Sequence, residues 1–371
     1  MMKTVLAAFL SFFSFPLFAQ EQGPYQFTKI IDIACMPVAS QGKTGTCWSF
    51  STTSFLESEI YRADHQWVDL SEMYNPRVLY PVKMFNYISR QGHAQFGEGG
   101  LSHDVLRAFA LYGAVPEADY DGLAGNGKSY DHTEMVRALT ALADSAVQDE
   151  QIRMNWKSLT EKILDTYMGA PPDTFTYKGV TYTPLSFSRS LHINPENYIE
   201  FTSFGFEPYY SRFILNIPDN FENGAYWNVP LDSLTRIIDN ALENGYTVAL
   251  DCDVSEPTFL RNQLQIAVFP EEKGAGFKKS IVPEHWITAG ERDRDFLSYA
   301  TEDDHLMHIV GLYEDQLGNR YYKVKNSWGT GYAGKGYWMI SKAFIRAKAI
   351  GIMVNKNAVS DALKAKTFGR S

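Results

Sequence analysis

The chain has 371 residues, of which 45% are hydrophobic and 21% charged; that apolar content supports a sizeable core and excludes wholesale disorder. Its 34 Lys+Arg against 43 Asp+Glu give a net charge of −9 and a pI near 5.4, which argues against a broad nucleic-acid-binding surface. Only three cysteines are present, Cys35, Cys47 and Cys252, so a disulfide-stapled scaffold is excluded.

Residues 1–19 place one cation, Lys3, before an apolar run from Val5 to Ala19. The run is short and poorly flanked for a membrane span and reads as an export signal cut near Ala19–Gln20. The expected mature chain, residues 20–371, is periplasmic or secreted and carries no membrane segment. Next, Trp48, Phe55, Leu56 and Ile60 mostly share one helical face, which predicts a helix starting at or just before Cys47 and running to about Arg62. A second helix is expected over Asp104–Tyr112, with Gly113 as its stop and Pro116 beyond. The character changes over about 119–245, expected to be an insertion. There Thr133–Ala146 and Ser158–Met168 read as helices, Pro171-Pro172 ends them, and a Tyr/Phe-rich stretch from Phe175 to Trp227 shows no period. Leu231–Glu243 is an amphipathic helix closed by Asn244-Gly245. Strands are expected over Tyr246–Val254, His305–Tyr313, Arg320–Asn326 and Gly336–Ile340, with Leu317-Gly318-Asn319 as a turn. Helices first and strands last predict an α+β fold.

Three segments carry chemistry. In Gln41-Gly42-Lys43-Thr44-Gly45-Thr46-Cys47-Trp48 a thiol stands at the first turn of a helix, where unpaired N–H groups and the helix dipole favour thiolate. The Cys47 N–H and the Gln41 amide are candidate donors to an oxyanion. In Asp304-His305-Leu306-Met307-His308, strand alternation sends His305 and His308 to opposite faces, so only one of them shares a cleft with the thiol. In Lys325-Asn326-Ser327-Trp328-Gly329 an Asn oxygen is placed to fix an imidazole tautomer, and Trp328 to shield that bond from water.

The run from Gln41 to Trp48 resembles the active-site segment of papain-like cysteine peptidases. His305, followed by Val310-Gly311, resembles their histidine strand and implies His305 as the base. Asn326-Ser327-Trp328-Gly329 with Gly336-Tyr337-Trp338 resembles their asparagine segment, Glu98-Gly99-Gly100 their substrate-binding glycine pair, and Leu70-Ser71-Glu72 also fits. Cys47 and His305 are about 260 positions apart, against about 130–150 in most of that family. The excess, with Pro171-Pro172-Asp173-Thr174-Phe175-Thr176, Thr183-Pro184-Leu185-Ser186-Phe187 and Cys252-Asp253-Val254, looks like the bleomycin hydrolase and aminopeptidase C group.

The resemblance implies a two-lobed papain-like fold, a helical lobe and a β-rich lobe, with a helical insertion. It implies Cys47, His305 and Asn326 as a catalytic triad, Gln41 at the oxyanion, and Gly99, Gly100 and Trp328 at the substrate, with no metal and no cofactor. It further implies peptide substrates and a homo-oligomer, a hexamer in that group. In the group a C-terminal tail carboxylate holds the substrate's amine, so N-terminal residues are released. Here the tail after Val354 is shorter and less apolar, so an endopeptidase of the same fold stays open beside the aminopeptidase. A non-catalytic peptide-binding protein and a cysteine acyltransferase are the readings from other classes. Thr44 stands where secreted papain-like enzymes commonly have a disulfide cysteine, and Cys35 and Cys252 are expected to be buried packing residues.

Overall fold

The computed structural model describes residues 24–124, 127–261, 264–272, 274 and 276–369; the expected export signal lies outside the described residues. The first strand, β1 (Phe27–Asp32), precedes three helices, α1 (Cys47–Asp64), α2 (Tyr74–Ser89) and α3 (Ser102–Leu111). Then come α4 (Thr133–Gln148), α5 (Glu150–Met168), a hairpin of β2 (Phe175–Tyr177) and β3 (Val180–Tyr182), and α6 (Pro184–Ser190). Three short strands follow, β4 (Tyr198–Thr202), β5 (Arg212–Ile214) and β6 (Ala225–Asn228), before α7 (Leu231–Glu243). The rest comprises β7 (Val248–Cys252), β8 (Ile266–Ala267), α8 (Ala289–Leu297), β9 (His305–Asp315), β10 (Arg320–Lys325), β11 (Tyr337–Ser341), α9 (Lys342–Lys348), β12 (Ala349–Asn355) and α10 (Asp361–Thr367).

The helices and strands expected from sequence are found within a few residues, α7 at both ends, except that α5 starts eight residues before the expected Ser158. Other elements were not expected. Helix α2 is absent from the sequence reading because Pro76 and Pro81 punctuate it; Pro76 falls in the first turn, where no N–H is needed, and Pro81 removes one interior bond. The Tyr/Phe-rich stretch is ordered as the β2–β3 hairpin, α6 and three sheet strands. Lys178 and Gly179 both take positive φ, 50° and 81°, as a two-residue hairpin turn requires. The region expected as an insertion, about 119–245, therefore holds β4, β5 and β6 as well as α4 to α7.

One sheet organises the molecule, in the order β5-β6-β4-β12-β7-β9-β10-β11-β8, with β1 also pairing β9. Strand β9 is its hub: its first half pairs with β7, its second half with β1, and its stretch from His308 to Glu314 with β10. Register puts Ala249 opposite His308 and Asp251 opposite Leu306 on one face. Helix α1 packs there, with α2 to α5 around it. The other face shows Phe201, Ile352, Leu250 and Met307 and is covered by α7 and α9. Helix α1 is buried continuously from Cys47 to Ile60, which explains why its apolar stripe is imperfect: no face of its first fourteen residues meets water.

Arg292 of α8 is 1% exposed. Its guanidinium donates to the carbonyls of Ser203 (2.8 Å), Arg346 (3.1 Å), Ala347 (3.3 Å) and Ala349. It thereby ties α8, and the loop that leads into β9, to the ends of β4, α9 and β12. Arg292→Met leaves those carbonyls without a donor and is expected to lower unfolding free energy by about 3 kcal/mol or more, read from urea denaturation.

Candidate active site

Cys47 is the first residue of α1, after Thr46, whose side chain makes no capping bond to the helix. The thiol is 8% exposed and faces the start of β9, where the Leu306 backbone N–H is directed at it. Burial pushes the thiol up to about 12. The Leu306 N–H pulls it back, and Asp219, Asp303 and Asp251 push it further up.

His305, beside Leu306, is 4% exposed, and its Nε2 lies 2.8 Å from Asn326 Oδ1. The Ser327 backbone N–H donates to the same oxygen at 2.7 Å. Because that backbone group can only donate, Oδ1 is the acceptor for both, so Nε2 carries the proton and Nδ1 keeps its lone pair. Burial lowers the imidazole to about 4, against the Asn326 bond and the Asp304 charge. Thiol and imidazole therefore rest as a neutral pair, and no hydrogen bond joins Cys47 Sγ to His305. Trp328 lies against the imidazole with ring centroids 4.7 Å apart. It is itself covered by Arg261, 4.8 Å from its ring centre, and packs edge-on to Trp338. Its role in the geometry is a roof over the His305–Asn326 bond.

Gln41 is 6% exposed and held at every polar group: its backbone N–H on the Ser327 carbonyl at 2.8 Å, its Oε1 accepting from Ser327 Oγ at 2.6 Å, and its Nε2 donating to the Thr44 carbonyl at 2.6 Å. One N–H of the amide is left over. Ser327 thus joins the Gln41 and Asn326 segments. Gly42, at φ +60°, lies under Tyr130, whose carbonyl oxygen would be 2.4 Å from any added Cβ. Lys43 and His132 complete that contact by pairing with the segment around Tyr130.

The Gly99-Gly100 segment reaches α1 through Trp48, whose Nε1 donates to the Glu98 carbonyl at 2.9 Å and whose ring abuts Gly100. Lys83 of α2 donates to the carbonyls of Gly97 (3.0 Å) and Gly99. Against Gly99 lies the carboxyl of Asp219, 1.9 Å from where a Cβ would stand, so only glycine fits there. The Gly99 carbonyl is thus already occupied, and Asp219 covers its Cα.

His308 is not in this group. It points into the α1 face of the sheet, its Nδ1 3.0 Å from Ser54 Oγ, which also accepts from Lys325 Nζ at 2.7 Å. Burial and the Lys325 charge keep it neutral. All three cysteines are free. Cys252 is buried as expected, but Cys35 is only half-buried, its sulfur 3.5 Å from the Tyr337 hydroxyl. Among the described residues no group of three His, Cys, Asp or Glu is arranged to hold a metal ion, and no helix is long and apolar enough to cross a membrane.

Sequence reasoning missed Asp219, Asp251, Asp303 and Lys83. One signal was available: Asp251 interrupts the apolar run Val248-Ala249-Leu250, and it points to the face that α1 covers. The other three come from segments far from Cys47 in the chain.

The model of the Peptidase C1-like family matches residues 98–368, and that of the papain family cysteine proteases matches residues 28–75. Aminopeptidase G of Lactobacillus delbrueckii subsp. lactis is 24% identical over 366 residues, covering 86% of this chain and 80% of its own. Aminopeptidase C of Lactococcus lactis subsp. cremoris is 23% identical, covering 89% and 83%. The crystal structure titled pepw from Lactobacillus rhamnosis aligns with a TM-score of 0.69 at 17% identity, over 91% of this chain and 84% of that one. The α+β papain-like fold and the likeness to the aminopeptidase C group, both expected from the motifs, are found.

The neutral resting pair has a kinetic signature. Inactivation of the free protein by iodoacetamide is expected to climb with pH toward about 12, with no plateau opening above about pH 4. A plateau of that kind would mean that the thiolate–imidazolium pair is already formed.

Proposed function

From a chain that belongs to the Peptidase C1-like family and is a cysteine-type peptidase, we propose an aminopeptidase that works through Cys47, His305 and Asn326. The observation that carries this reading is the placement of the Cys47 thiol at the buried start of α1, against the residue next to a histidine whose free nitrogen is set by Asn326. His305 Nδ1 takes the thiol proton as sulfur attacks the peptide carbonyl. The carbonyl π electrons become an oxyanion, met by the Cys47 N–H and the remaining N–H of Gln41. Collapse breaks the C–N bond, and His305 returns the proton to the leaving amine. Water then attacks the thioester with His305 as base and releases the N-terminal amino acid. Trp328 acts on the substrate through the imidazole that it covers.

The aminopeptidase is favoured over the endopeptidase because Asp219 covers Gly99, along which an extended chain would continue toward its N-terminus. The names of the relatives support the same choice. Export as a periplasmic or secreted protein is part of the proposal, supported by residues 1–19. So is a homo-oligomer, a hexamer in the group that it resembles. Neither a metal nor another cofactor takes part in this mechanism.

The reading is tested with a peptide and its N-acetylated twin. Stepwise loss of single residues from the free peptide alone, followed by mass spectrometry, is the expected outcome; equal cleavage of both would overturn it. Cys47→Ala is expected to abolish turnover, and His305→Ala to lower kcat/KM by about a thousandfold or more. His308→Ala is expected to lower the melting temperature through the lost Ser54 bond while leaving a working enzyme. Loss of turnover in a folded His308→Ala protein would move the base to that residue.

A further inference from the structure

Three carboxyl groups that the triad does not use act electrostatically on Cys47. Asp251 of β7 stands on the α1 face beside Leu306, is 4% exposed, and meets no N–H or hydroxyl donor at either oxygen, only the carboxyl of Asp303, with which it shares a proton. Asp303 lies two residues before His305, and its Oδ2 likewise meets no N–H or hydroxyl donor. Asp219, from the loop between β5 and β6, directs its backbone N–H at Asp303 and lays its carboxyl on Gly99, where it accepts from Gln95 Nε2 at 3.3 Å. Lys83 is the cation that acts on Asp219. Buried carboxyl oxygens without donors are strongly unfavourable unless something supplies the missing charge and protons. Here they also burden the nucleophile, since all three acids oppose ionisation of the Cys47 thiol.

We propose that Asp251 and Asp303, closed over by Asp219, hold the α-ammonium group of the substrate's N-terminal residue while Cys47 attacks the carbonyl of that same residue. The proposal rests on the aminopeptidase reading above and assigns the residues that select a free amine. One carbon separates an α-amine from its carbonyl, so an ammonium site must lie near the nucleophile; Asp251 is paired across the sheet with Leu306, and Asp303 stands two residues before His305. A primary ammonium brings three donors and one positive charge, which matches a buried carboxyl pair that has no donor but the proton shared between its two members. Asp219 on Gly99 shuts the route that a longer N-terminal extension would take. Near the end of the described residues, Phe368 packs on Phe201 and Trp227, on the sheet face opposite α1. Occupation has a second consequence. An ammonium among the acids offsets their field at Cys47, so the substrate with a free amine also eases thiolate formation.

The test uses the full chain, an aminoacyl coumarylamide with a free amine, and its N-acetylated twin. In Asp303→Asn and Asp219→Asn the ratio of kcat/KM between the two substrates is expected to fall at least about tenfold, through loss on the free amine. Asp251→Asn is expected to do the same. Since that site is fully buried, the half-buried Asp303 decides if the Asp251 variant does not fold. A large ratio in the wild type that survives in the Asp303 and Asp219 variants overturns this proposal and leaves the aminopeptidase standing. A wild type that cleaves both substrates equally overturns both.

Discussion

The structure depends on burying the first four turns of α1 against strand β9. A helix without a wet face must satisfy its polar side chains internally, and α1 carries many. Ser49 donates to the Glu72 carbonyl, Asn75 reaches Ser49 and Thr53, Thr52 meets Ser102, and Ser54 takes Lys325 and His308. Glu57 accepts the Leu70 N–H, and Glu59 accepts Arg62 and Asn355. Apart from Glu59–Arg62, these bonds tie α1 to α2, α3, β9, β10, β12 and the loop around Leu70–Glu72, so the helix is held in one rotation and one height. That fixes Cys47 at the mouth of β9, next to His305.

The same burial accounts for what the sequence revealed. Helix α7 has an apolar face on the sheet and a wet one, so its period and both ends could be read. The start of α1 was marked by glycines and a cysteine, and the ends of β9 and β10 by His305 and Asn326. Strands β4 and β6, by contrast, are five and four residues of mixed character, and β4 finds its partners at a distance in sequence, in β12 and β6. Nothing local distinguishes such strands from loop, and only the sheet makes them. The site followed the same division. Cys47, Gln41, His305 and Asn326 stand in recognisable local patterns, and the geometry binds Gln41 to Asn326 through Ser327, which no pattern announced. The acids around Cys47 have no pattern at all, because they meet only through β7, the loop before β9 and the β5–β6 loop.

Electrostatics then divides the site into two parts. On one side the His305 ring, Asn326 and Trp328 form a closed, neutral unit, in which Asn326 Nδ2 is buried without a partner and His305 Nδ1 keeps a free lone pair. On the other, Asp219, Asp251 and Asp303 leave negative charge or shared protons in poorly solvated space. The first arrangement is suited to passing one proton between fixed positions. The second is not stable by its own hydrogen bonds, so its cost must be offset by folding energy from the surrounding sheet.

That offset is available because the segment between about 119 and 245 does two things with one stretch of chain. Strands β4, β5 and β6 lengthen the sheet beyond β12, adding main-chain bonds and the apolar contacts of Phe201 and Tyr226. The β5–β6 connection, anchored by those strands, carries Asp219 back across the cleft onto Gly99. A loop without such anchors would be pushed away from two other carboxyls; one whose ends are hydrogen-bonded into the main sheet is not free to leave. The segment that enlarges the fold is therefore also the one that brings Asp219 over Gly99, and one of the three acidic charges acting on Cys47 is held by strand pairing several strands away.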